Sequence, residues 1–165
     1  MNKKGFTLIE LLAVIVILAI ILLIAMPIVI GVIEEAREGA FKSSGHGLWK
    51  TAENEYAKRM IEDPGAVEDV WYVFVEGQPQ EVFVDDGEGG YTGIGAPDEL
   101  EFTGATPQNG IIHVANDGEV EFWLHDGTFC AYRDGQKVTA SKVALATCES
   151  DAHGLNMELS VFPEE

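Results

Sequence analysis

A glutamate stands where an uncharged segment begins. Glu10 immediately precedes Leu11 to Ile33, 23 residues without a charged side chain. A carboxylate carried into a bilayer on such a segment costs about 2.5–3.5 kcal/mol on insertion scales, so it needs a partner. One source lies just upstream. Cleavage between Gly5 and Phe6, the natural small-residue cleavage point before the apolar run, would uncover a positive α-amine about one helical turn from Glu10. That amine can pair with Glu10 of the same chain. In a polymer of closely packed helices, a neighbour's Phe6 amine can reach it instead, which also sets the axial register between subunits. The simpler alternative is a carboxylate resting near a helix N-terminus, where the macrodipole favours an anion.

Three other groups of residues have chemical potential. Asp85-Asp86-Gly87-Glu88 collects hard oxygen ligands in a Gly-rich stretch, as calcium loops do, but without the ligand spacing of an EF-hand. A solvated turn is the expected state, with Asp85, Asp86 and Glu88 as calcium candidates. His46, His113, His125 and His153 have no metal-ligand spacing, and Ser43-Ser44 lies in no nucleophile motif. No catalytic residue, cofactor or metal centre is therefore expected. Cys130 and Cys148 allow one intramolecular disulfide if that part of the chain is exported. They either bond, folding the C-terminal tail back over a sheet, or remain two buried thiols.

The elements that must position these groups follow from periodicity. A helix over Leu11–Ile33 rises about 35 Å, enough for the roughly 30 Å hydrocarbon core of a bilayer. The run is longer than the apolar region of a removable signal peptide, and no A-x-A-like site follows it. Lys3 and Lys4 place this end in the cytoplasm, with the rest of the chain outside. Pro27 removes a backbone hydrogen bond late in the span and, with Gly31, marks a candidate kink. Past Ile33 charges enter, while Phe41, Leu48, Ala52, Tyr56 and Met60 keep one face apolar. This predicts an amphipathic continuation of the same helix, stopped by Asp63-Pro64-Gly65.

After Gly65 the pattern becomes that of strands. Val70–Val75 and Glu81–Val84 flank a turn and predict a hairpin. Asp117-Gly118, Asp126-Gly127 and Asp134-Gly135 separate β-prone runs at 111–115, 120–124, 128–132 and 137–141, which predicts a four-stranded antiparallel meander. Val120, Phe122 and Leu124 share the face expected to lie against the helix. Trp49, Trp71 and Trp123 are expected at that helix–sheet interface. The organisation is then 1–5 leader, 6–33 transmembrane helix, 34–63 amphipathic half and 64–165 β-rich head.

Charge separates these parts. Residues 61–165 hold 22 acidic side chains against Arg133, Lys137 and Lys142, within a chain of net charge −18. A head this acidic repels phosphate backbones, so direct nucleic-acid binding is not expected.

Lys3-Lys4-Gly5-Phe6-Thr7-Leu8-Ile9-Glu10-Leu11-Leu12 resembles the class III leader of type IV pilins and of the pseudopilins of type II secretion systems. The Gly110–Tyr132 run more loosely resembles heads of pilin-like proteins from Gram-positive bacteria. The resemblance implies an α+β pilin-like lollipop, one long N-terminal helix packed on an antiparallel sheet. It implies cleavage between Gly5 and Phe6 by a prepilin peptidase, N-methylation of Phe6, and subunit assembly through Phe6 and Glu10. The implied partners are membrane lipid, an inner-membrane assembly platform, other pilins and further copies of this chain. The implied role is a structural, non-enzymatic subunit of a surface filament used for adhesion, motility or DNA uptake. Alternatives are a pseudopilin and, from another class, a monomeric membrane-anchored ligand-binding protein. A disulfide between Cys130 and Cys148 would resemble the bonded loop of many pilins.

Overall fold

Helix α1, Leu8–Glu62, starts with a reciprocal cap. The Thr7 hydroxyl accepts the Glu10 N–H at 3.3 Å, and the Glu10 carboxylate accepts the Thr7 N–H at 2.9 Å. This is a capping box, which satisfies backbone donors that a helix start leaves open. Pro27 lies inside α1. The computed structural model describes residues 7–62, 68–77, 81–85, 91–93, 100 and 104–150. The chain divides into two units, one ending at Arg37 and the other beginning at Glu38.

In the second unit, the rest of α1 packs on a sheet. Its strands are β1 Val70–Phe74, β2 Glu81–Asp85, β3 Tyr91–Gly93, β4 Asn109–Val114, β5 Val120–His125, β6 Phe129–Asp134 and β7 Lys137–Lys142. A short helix α2, Leu145–Ser150, follows. The sheet is antiparallel in the order β3-β2-β1-β4-β5-β6-β7. The hairpin and the meander expected from the turn spacing are both present, and the β1–β4 pairing joins them with Trp71 opposite His113. Strand β3 and helix α2 are additions to the sequence reading. The helix-stopping Asp63-Pro64-Gly65 lies outside the described residues.

Strand alternation builds two cores, one on each face. The first contains Phe41, Leu48, Trp49 and Ala52 of α1 with Tyr72, Ile112, Val120, Phe122 and Leu124 of the sheet. Gly45 brings α1 close here: a Cβ on it would lie 3.2 Å from Val138 Cγ1 and 3.5 Å from Phe122. The segment before β4 crosses the helix at Ser44, whose hydroxyl donates to Ala40 O and accepts the Ala105 N–H at 2.9 Å. At the other end of the sheet, Gly118 turns with φ +89° beneath the Tyr56 ring, where a Cβ would lie 2.7 Å from the ring. Tyr56 Oη donates to Asn116 O across the same contact.

The second core is on the face away from α1. It gathers Trp71, Val73, Phe83, Ile111, Trp123, Cys130 and Cys148, with Tyr91, Tyr132, Val143 and Leu145 packed around them. This corrects the placement of two tryptophans. Trp49 packs between helix and sheet, but Trp71 and Trp123 are the second residue of β1 and the fourth of β5, alternating with the helix-facing residues, and so point to the opposite face. That face is buried because the segment through α2 returns over it.

Candidate functional site

The first half of α1 has the surface of a segment that belongs in an apolar medium. Every Leu, Ile, Val and Met from Leu8 to Ile33 is at least 47% exposed. These side chains surround the helix rather than forming a stripe, the pattern of a helix buried on all sides by lipid or by other helices. Among the described residues it is the one helix long and apolar enough to cross a membrane.

Glu10 is the polar exception, and its partners are local. Its Oε2 accepts both the Thr7 N–H and the Thr7 hydroxyl, the latter at 2.7 Å. The isolated chain thus satisfies the carboxylate with neutral donors one turn upstream. These contacts leave its charge uncompensated, so an ammonium brought to the same oxygens would add a charge-assisted bond. Pro27 has no N–H for the carbonyl four residues earlier, that of Leu23. A Cβ on Gly31 would meet nothing within 4 Å. The Gly5–Phe6 cleavage point and the Phe6 amine lie outside the described residues.

The remaining candidates belong to the head. Cys130 and Cys148 are bonded, with 5.6 Å between their Cα atoms and a sequence separation of 18. Both are buried against Trp123 and Trp71 in the second core, so the bond ties α2 to β6. Asp85 ends β2 and pairs in register with Tyr91, while Asp86 and Glu88 lie outside the described residues. No three His, Cys, Asp or Glu side chains converge as a metal site among the described residues.

The described histidines are packed rather than grouped. His46 stacks on Trp49. His125 is buried, and its Nδ1 accepts the Gly127 N–H at 3.0 Å. Its Nε2 therefore carries the proton and donates to Val143 O at 2.9 Å. The ring thereby fastens the β5–β6 turn to the segment leading into α2. His113 stacks on Trp71 beside Asp69.

Sequence reasoning missed two features. Thr7 was legible as the start of a Thr-x-x-Glu capping box, the pattern that gives Glu10 its partner within the chain. The second core had no comparable signal, because it depends on where α2 returns.

A long N-terminal helix with an antiparallel sheet defines a pilin-like α+β class. Residues 1–26 match the family model described as the prokaryotic N-terminal methylation motif. That match supports a class III prepilin-like leader at the N-terminus, of the kind carried by type IV pilins and pseudopilins. No curated protein and no solved structure matches the chain.

Proposed function

We propose that this chain is a structural subunit of a type IV pilus-like filament. It is made as a membrane-anchored precursor, cut between Gly5 and Phe6 by a prepilin peptidase, and N-methylated at Phe6. The observation that carries this reading is the Leu8–Ile33 surface, apolar on all sides, with one carboxylate at its head directly after a methylation-type leader. In lipid, the acyl chains cover that surface. In a filament, the same side chains of neighbouring copies and other pilins cover it. Glu10 then exchanges its Thr7 donors for the Phe6 amine of an adjacent subunit, an ion pair in a dry environment that fixes register. Catalysis has no part in this role, and the acidic heads coat the outside.

The test combines processing and assembly. Mass spectrometry is expected to find a mature chain beginning at N-methylated Phe6. Glu10→Leu is expected to abolish fibres seen by electron microscopy while the protein stays in the membrane fraction. An intact leader, or normal fibres from the Glu10→Leu chain, would overturn the proposal. Long surface fibres distinguish a pilus from the short pseudopilus that shares this leader.

A further inference from the structure

The β1–β4 seam joins the β1–β3 ribbon to the β4–β7 meander, and an imidazole lies at its middle. His113 stands opposite Trp71 in register, and the two rings stack with centroids 3.7 Å apart at an interplanar angle of 11°. Across the other side of β4, His113 pairs in register with Glu121 of β5. Asp69, just before β1, holds Oδ2 3.6 Å from His113 Nε2, while its Oδ1 accepts the Asn116 N–H at 2.7 Å. The His113 side chain is 14% exposed, and Nε2 is buried without a hydrogen-bond partner among the described residues.

We propose that His113 is a proton-operated release at this seam. Its neutral ring, flat on Trp71, holds β1 against β4, and its protonated ring loosens that pairing in a mildly acidic medium. The imidazolium would need water or a direct carboxylate bond, and the buried Nε2 position provides neither without movement. The charged groups facing it among the described residues are Asp69 before β1, Asp117 in the β4–β5 turn and Glu121 on β5. All three favour the imidazolium, but burial outweighs them and holds the His113 pKa below the ordinary histidine value. The sign follows by linkage. The stabilisation is complete above the ordinary value of about 6.5 and is lost as pH falls toward the lowered native value. Within that window, opening of the seam grows by up to about tenfold per pH unit, one proton's worth.

The test is amide hydrogen exchange on the full chain in detergent between pH 7.5 and 5, corrected for intrinsic exchange. Protection at the β1 and β4 amides is expected to fall through the window while β6–β7 amides keep theirs. His113→Gln is expected to flatten that dependence. Glu121→Gln removes one facing charge without removing the ring, so the imidazole midpoint read by NMR is expected to move lower. Seam and meander losing protection together would overturn the proposal, as would an undiminished pH dependence in His113→Gln. If His113→Gln does not fold, an unmoved imidazole midpoint in Glu121→Gln overturns it alone. The readouts are independent of filament formation.

Discussion

Leu8–Ile33 and Phe41–Ala52 belong to one α-helix but treat their apolar side chains in opposite ways. In the first stretch all the large aliphatic residues are open. In the second, Phe41, Leu48 and Ala52 are at most 2% exposed because the sheet covers them. The difference lies in the arrangement of apolar residues. Phe41, Leu48, Trp49 and Ala52 lie close to one helix face, with Lys42, His46 and Lys50 exposed between them, so one covering layer suffices. From Leu11 to Ile33 there is no polar face, and no single layer can satisfy the surface. The described residues leave the first half of α1 without a covering layer, whereas the second half is covered by the sheet.

Truncating a buried ring in the head should have the largest effect. Phe122 is 3% exposed and contacts the helix beside Gly45. Phe122→Ala should destabilise the head by about 3–5 kcal/mol, the usual cost of such a core truncation. Ile17→Ala, in the open half of α1, should leave the head's denaturation midpoint unchanged in detergent. Chemical denaturation followed by tryptophan fluorescence measures both. Equal losses from the two substitutions would show that the halves are not energetically distinct.

Next in size is the disulfide. Its loop, with a sequence separation of 18, corresponds to about 3 kcal/mol of constraint on the unfolded chain. Paired Cys130→Ala and Cys148→Ala substitutions should lower head stability by about that amount. They should free α2 to exchange its amides faster without changing membrane retention. A midpoint equal to that of the unaltered protein would mean that packing around Trp123 alone holds α2 in place.

Legibility in the sequence followed the range of the interaction. The Lys3–Glu10 pattern, the unbroken apolar run and the three Asp-Gly turns are local, and each could be read from adjacent residues. Sheet order was less accessible. β1 pairs with β4 across a connection of more than thirty residues, and the three-residue β3 stands beside a Gly-rich stretch that reads as loop. The second core was hidden for another reason. Trp71 and Trp123 alternate with residues facing the helix, so β1 is apolar on both sides, while β5 sets a large ring between Glu121 and His125 on its outer side. Which element covers the outer side depends on a six-residue helix held by a disulfide, a tertiary fact without periodicity. At Glu10 the leader pattern pointed to the Phe6 amine, of the same chain or of a neighbour, while the capping box adds Thr7 as a partner within the chain.

The smallest test is made with two glycines on the sheet-packed half of α1. Each costs the helix about 1 kcal/mol relative to alanine. At Gly39 a Cβ would meet nothing within 4 Å, so Gly39→Ala should stabilise the isolated subunit by about 0.5–1 kcal/mol. At Gly45 the same Cβ would lie 3.2 Å from Val138 Cγ1. Val138 is 1% exposed and β-branched, with little rotamer freedom to move away. The packing strain should cancel the gain in helix propensity, leaving Gly45→Ala at or below the stability of the unaltered chain. Denaturation midpoints measured side by side decide the matter. If both substitutions stabilise equally, the helix–sheet contact has slack at Val138, and Gly45 is not needed for close packing. If only Gly39→Ala stabilises, the sheet's approach requires glycine at 45, while no contact among the described residues requires it at 39.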